Sequence, residues 1–162
     1  MHTIATTPQL KVLYLAAEAY PFIKIGGLGD VAGSLPRAIH AVSRQESGLP
    51  ITDIRLVVPF HGGIQRHGRS LRRLATFNLP LPSGLLPVEA WETRLDEAPV
   101  YLLSGPPITQ DAPVYSSDAG VDSYKYTYFS LAALQLAQAL EWIPDVVHAN
   151  DWHTALALYA LR

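Results

Sequence analysis

The sequence predicts an α/β domain: a doubly wound, mostly parallel sheet with an antiparallel ribbon inserted in its middle. Three observations predict it. Residues 10–17 are a nearly continuous apolar run of the kind that suits a strand covered on both faces, as in parallel sheets, and the runs 53–59 and 145–149 read as further strands. The first and last of these runs pass through short glycine-bearing or polar turns into helical periodicity, the alternation of an α/β fold. Between them, residues 69–103 break into short strands punctuated by Pro and Gly, which reads as an antiparallel pair or ribbon followed by a return strand.

Taken in order, residues 1–9 form a loose polar tail. The first strand, 10–17, delivers Glu18 to its C-terminal end, where open α/β sheets gather ligands. Tyr20-Pro21-Phe22 is irregular because Pro21 restricts the residue before it. Lys24-Ile25-Gly26-Gly27-Leu28-Gly29-Asp30-Val31 is a glycine-rich turn. Val31, Leu35, Ile39 and Val42 then fall at helical spacing, with Asp30 as the expected N-cap. Pro36 should bend this helix or mark a late start. Residues 46–50 form a loop, 53–59 the second strand, and His61-Gly62-Gly63 another glycine turn at a strand end. Strands follow at 69–79, 87–95 and 99–103. Residues 104–122 form a long loop, and loops of that length usually carry function or motion. A helix over 123–142 is stopped by Pro144. A strand at 145–149, a turn at Asn150-Asp151 and a helix over 152–161 complete the chain.

Composition narrows the class. With 162 residues, 49% apolar and 16% charged, the chain is long and apolar enough for one globular domain and is not disordered. The net charge of −2, without a basic block, argues against nucleic acid as a partner. Cysteine is absent, which removes disulfide and thiolate chemistry and fits a cytoplasmic setting. The N-terminus lacks the apolar core of a signal peptide, and no apolar run approaches the roughly 18 residues of a membrane span.

The glycine turn carries the clearest chemistry. Glycine lets the backbone approach a ligand closely, and the N–H groups opening the next helix favour an anion. Lys24 adds a positive charge, so the ligand expected here is a phosphate or another anion. The spacing fits neither G-x-x-x-x-G-K-[ST] nor G-x-G-x-x-G. The plain alternative is that Gly26 and Gly27 only serve a tight strand-to-helix turn. His153 follows Asp151 and Trp152 at a strand end, where functional groups collect. The plain alternative there is a capping Asp151, a Trp152 that fills the core and a surface His153. His148 lies on the strand itself and reads as a packed histidine. His148, Asp151 and His153 do not make a metal site by spacing, since neither H-E-x-x-H nor a cysteine pair is present. The chain has no G-x-S-x-G nucleophile elbow and no dinucleotide fingerprint.

Two of these stretches also carry a resemblance. Lys24-Ile25-Gly26-Gly27-Leu28-Gly29-Asp30-Val31, followed by Gly33, Leu35 and Pro36, resembles the K-x-G-G-L-x-D-V signature of bacterial glycogen synthases and plant starch synthases. Asp145-Val146-Val147-His148-Ala149-Asn150-Asp151-Trp152-His153-Thr154 is similar to that family's P-D-[IV]-[VI]-H-x-[HN]-D-W-H segment. The resemblance implies the Rossmann-like N-terminal half of a two-domain GT-B glycosyltransferase, residues 10–162, with the C-terminal domain absent. It implies transfer of glucose from ADP-glucose to the non-reducing end of an α-1,4-glucan, with retention of configuration and with no metal or other cofactor. Lys24, Gly26, Gly27 and Asp30 then fall on the donor side. His153 and Lys24 take catalytic positions, with Asp122, Asp151 and Glu18 as candidate sugar contacts. The family's D-N-x-x-R-F segment reads here as Asp122-Ser123-Tyr124-Lys125-Tyr126, with Asp122 matched to its aspartate and its Asn and Arg without counterparts. The loop that carries Tyr115 is short for the family.

As half of a two-domain enzyme, the chain is expected to be inactive alone. Two other functions fit the same residues. One is a stand-alone, non-catalytic module that binds an α-glucan or a phosphorylated ligand. The other is half of a GT-B enzyme that uses another nucleotide sugar.

Overall fold

Alternate residues of the central strands face opposite sides of the sheet, and both sides are buried. On β1 (Gln9–Leu15) and just beyond it, Leu13, Leu15 and Ala17 enter one core cluster while Val12, Tyr14 and Ala16 enter the other. Strand geometry forces this period of two, and burial on both faces is why the run is apolar throughout. The computed structural model describes residues 9–46 and 48–162. The expected N-terminal tail lies outside the described residues except for Gln9, which already belongs to β1.

After β1 come α1 (Gly27–Gln45), β2 (Ile51–Pro59), β3 (Arg72–Leu81), β4 (Gly84–Leu95) and β5 (Ala98–Ser104). The chain continues with α2 (Ala119–Ala139), β6 (Val146–Ala149) and α3 (Trp152–Ala160). One six-stranded sheet has the order β3-β4-β5-β2-β1-β6. β5, β2, β1 and β6 pair in parallel, and β4 is antiparallel to both β3 and β5. This is the expected doubly wound sheet with an antiparallel ribbon. The ribbon is longer than its sequence suggested, because Pro80 and Pro87 sit within β3 and β4 rather than ending them. Pro80 is tolerated because β3 is an edge strand.

The two helix layers cover opposite faces. Ala32, Leu35 and Ile39 of α1 pack on Tyr14, Leu56 and Leu102. Tyr126, Phe129, Ala133 and Leu136 of α2 pack with Ala157 of α3 on Leu13, Val57 and Leu103. The chain turns to β2 on one side of β1 and later returns to β6 on its other side. The β1/β6 boundary is therefore a topological switch point, where the strand ends open a crevice. Side chain and backbone close this late pairing: Lys11 N–H donates to Asp145 Oδ2 at 2.8 Å, and Asp145 N–H donates to the Lys11 carbonyl at 2.9 Å.

Three local expectations are corrected. α1 starts at Gly27, not at residue 31; Gly26 is its N-cap, without a side-chain bond, and Asp30 lies inside the first turn. Pro36 sits within α1 and the helix continues past it to Gln45. α2 starts at Ala119 because the Asp118 carboxylate accepts from Gly120 N at 2.7 Å and Val121 N at 3.3 Å, a side-chain cap that Gly120 obscures in the sequence. Among the described residues, no helix is long and apolar enough to cross a membrane.

Gly33 lets α1 lie against the strap that leaves β1, since a Cβ there would stand 2.0 Å from the Tyr20 carbonyl oxygen. Gly33→Ala should therefore cost roughly 1–3 kcal/mol or more by overpacking. At Gly27 a Cβ meets nothing within 4 Å, so Gly27→Ala should be neutral or stabilise by up to about 1 kcal/mol. Urea denaturation of the two variants checks both; equal stabilities would remove the packing role of Gly33.

Candidate active site at the C-terminal edge of the sheet

Glu18 leaves the end of β1 fully buried and collects three donors. The N–H groups of Ile25 and Gly26 both reach its carboxylate, the latter at 3.0 and 3.2 Å. Tyr115 of the loop before α2 donates its hydroxyl to Oε1 at 3.1 Å. Glu18 thus ties the strand end, the glycine turn and the long loop together. Two amides of the turn, those of Ile25 and Gly26, therefore already have an acceptor within the chain. The first N–H groups of a helix have no intrahelical partner. Gly27, Leu28 and Gly29 open α1 without a side-chain cap, so no side chain of the N-cap takes up their N–H groups.

The glycines of the turn differ in what they do. A Cβ at Gly29 would lie 3.0 Å from Lys24 Cγ and 3.1 Å from Glu18 Oε2, so Gly29 serves close packing. Gly26 and Gly27 are exposed, and their built Cβ atoms meet no neighbour closer than 3.6 Å. No contact within the chain requires glycine at these two positions, which leaves room for a ligand against the backbone. Lys24 Nζ stands 2.7 Å from Asp30 Oδ2, and both side chains are exposed. Such a surface pair is worth at most about 1 kcal/mol, little enough for an arriving anion to redirect the lysine. Asp30 holds Lys24 in this state and makes no cap.

His153 lies in the first turn of α3, 4% exposed, with both ring nitrogens lacking a hydrogen-bond partner among the described residues. Its ring sits 5.1 Å from that of Tyr115, 4.6 Å from Tyr126 and 4.0 Å from Trp152, measured between centroids. Burial lowers its pKa below the ordinary 6.5; the carboxylates of Asp151, Asp122 and Glu18 oppose this, and Lys125 adds to it. A buried, neutral imidazole with two unused nitrogens can donate one hydrogen bond and accept another from a bound polar group. Asp151 caps α3 through Trp152 N–H at 2.6 Å. It does so at φ 62° and ψ 179°, a region that costs of order 1–3 kcal/mol for a residue with a side chain and that collects at functional sites. His148, on β6, packs its ring 4.5 Å from that of Tyr14 and faces away from this cluster's chemistry.

Asp122 is buried, and both of its oxygens are occupied. Oδ1 takes Lys125 Nζ at 2.8 Å and Oδ2 takes the Ser116 N–H at 2.9 Å. The structure brings Glu18, Gly26 and His153 together through Tyr115, and sets Asp122 one layer behind, bracing the loop that carries Tyr115. Tyr115 entered the sequence reading only through its loop, and Tyr126 and Lys125 are site residues that it missed. The signal available for the last was its i,i+3 spacing from Asp122. The arrangement is an open edge and not an enclosed cavity. A separate cavity of about 790 Å³ lies off it, between the loop after β2 and β4, lined by Phe60, His61, Arg66, Trp91 and Gln110.

His61 links that cavity to the braces behind the site. It is 1% exposed, and among the described residues both ring nitrogens are unpartnered; the backbone of Ala17 and Ala112 lies near without closing a hydrogen bond. Burial, with Lys125 adding to it, pushes its pKa down to about 4. The unfolded chain titrates near 6.5 and so binds the extra proton first. Stability should therefore be full above pH 6.5 and fall as pH drops toward 4, by roughly 3 kcal/mol from this residue. Denaturation at several pH values should show the slope, and His61→Gln should flatten it. An unchanged slope in the variant would assign the loss to other groups.

Residues 11–162 match the starch synthase catalytic domain family. The chain is 36% identical over 158 residues to a glycogen synthase of Lacticaseibacillus casei, covering 95% of this chain and 30% of that protein. It is 34% identical over 165 residues to a glycogen synthase of Photobacterium profundum, covering 99% of this chain and 31% of that protein. The catalytic domain of starch synthase IV from Arabidopsis thaliana, solved bound to ADP and acarbose, is similar in structure. It superposes with a TM-score of 0.77 at 27% identity, over 91% of this chain and 29% of that one. The chain therefore spans about a third of the length of the relatives it matches.

Proposed function

Because the chain belongs to the starch synthase catalytic domain family, we propose that it is the N-terminal, acceptor-side domain of a retaining glucosyltransferase. Residues 10–162 form one half of a GT-B cleft, and the remaining length of the relatives supplies the other half. The reaction moves glucose from ADP-glucose to the non-reducing end of an α-1,4-glucan.

One observation carries this assignment: two unpartnered nitrogens of a buried His153 stand beside an exposed glycine turn at the switch point of the sheet. The donor's leaving group is a nucleoside diphosphate whose charge grows in the transition state. The open amides of Gly27, Leu28 and Gly29, the positive end of α1 and Lys24 form a preorganised set for that charge. His153, neutral at pH 7, offers its nitrogens to the hydroxyls of the reacting sugar and holds it in register. Asp151 lies on the same rim through its cap of α3, and Glu18 acts from beneath by holding the turn. Water is excluded when the second half closes over this open edge. The ADP held by the Arabidopsis relative supports an adenine nucleotide as donor.

An NMR titration of the chain with ADP-glucose should shift the amide signals of Gly27, Leu28 and Gly29 and the ring signals of His153. Shifts confined to other residues would move the donor elsewhere. In an enzyme joined to the C-terminal part of its relatives, Lys24→Ala and His153→Ala should each lower kcat about 10²-fold or more. Unchanged turnover in either variant would remove that residue from the machinery.

A further inference from the structure

We propose that Lys125 is a positioning residue: from inside the core it sets Tyr115, and through Tyr115 the Glu18 carboxylate, the glycine turn and His153. The inference rests on the site assigned above, but its geometry stands apart from the choice of substrate.

Lys125 is 1% exposed and never reaches the crevice. An ammonium has three N–H groups, and all three are used. Nζ donates to the Pro113 carbonyl, the Val114 carbonyl and Asp122 Oδ1, each at 2.8 Å. Two neighbouring bonds complete the clamp. Tyr126 donates its hydroxyl to the Val114 carbonyl at 2.5 Å, and the Ser116 N–H donates to Asp122 Oδ2 at 2.9 Å. The backbone is therefore gripped at 113, 114 and 116, on both sides of Tyr115, by one turn of α2.

Tyr115 has no such anchors of its own. Its hydroxyl ends on Glu18 Oε1 at 3.1 Å, and its ring lies 5.1 Å from His153. Glu18 in turn holds the Ile25 and Gly26 amides. A chain of direct contacts thus runs from Lys125 to the glycine turn, and a branch runs to the imidazole. A buried ion pair alone is weak evidence for stability, and the pair's cost in desolvation is met here by a full set of hydrogen bonds. What the pair adds beyond folding is a fixed place for one tyrosine.

The test uses the chain as it is, with backbone and histidine-ring NMR. Lys125→Met leaves a buried carboxylate unpaired, so the double variant D122N/K125M, which removes both charges, is made beside it. In the folded variant, the Ile25 and Gly26 amides and the His153 ring should shift, and amide exchange at Ile25 and Gly26 should quicken about tenfold or more. Lys125→Arg should restore the signals at least in part. Tyr115→Phe, which deletes only the relaying hydroxyl, should reproduce the Ile25 and Gly26 changes. A folded double variant with lower Tm but wild-type signals at Ile25, Gly26 and His153 would overturn the proposal and leave Lys125 a structural brace. ADP-glucose separates this from the function. If the wild type ignores ADP-glucose while the variants still move these signals, the positioning role stands and the donor assignment falls.

Discussion

The constraint on which the rest depends is the carboxylate of Glu18. It lies at the end of the central strand, buried, with three donors converging from two separate segments of the chain. A buried carboxylate without partners would be costly, so those donors must stay where they are. That requirement fixes the entry of α1 and the path of the loop before α2. Both segments are then set against the same strand end, and the open N-terminus of α1 faces the same crevice as His153. The glycines follow from this. Gly29 is needed because Lys24 and Glu18 crowd it, whereas Gly27 faces open space and Gly26 has only an ordinary contact with Glu18.

Much of the fold was legible because burial on both faces leaves a clear mark. Residues 10–17 are apolar at nearly every position and 56–59 at all four, and the stretches 10–17, 53–59 and 145–149 each overlap a strand. The crevice was legible too, since a glycine turn and an Asp-Trp-His segment end the two strands that flank it. What escaped depends on contacts that no spacing reveals. Asp118 was hidden as a cap because Gly120 reads as a breaker. Asp30 looked like a cap, but Gly26 already begins the helix and Asp30 instead meets Lys24. Lys125 is held by the loop carbonyls of 113 and 114, twelve and eleven residues away, a contact that helical spacing does not mark.

Charge and burial are divided sensibly between the layers of the site. The rim holds groups that can be redirected, such as the exposed Lys24 with its weak pairing to Asp30. Behind it sit groups that cannot move without cost: Glu18, Asp122 and Lys125, each saturated. His153 stands between, buried yet unpartnered, and burial keeps it neutral. The tyrosines are held protonated for the same reason, since burial raises the pKa of Tyr115 and Tyr126 and nearby carboxylates raise it further. They therefore remain hydrogen-bond donors throughout the working range.

The pairing of β6 with β1 has a consequence for how the chain comes to be folded. Tyr14 donates its hydroxyl to Asn150 at 3.2 Å, and the Asn150 side chain returns a bond to the Leu15 carbonyl at 2.8 Å. These contacts join positions more than 130 residues apart. Closing so long a loop carries an entropic cost that local helices do not bear, and high contact order slows folding. On a ribosome, β1 would wait with one flank bare until β6 had emerged. Glu18 and His153 would become neighbours only when β6 docks on β1. The crevice therefore exists only once these two distant strands have met.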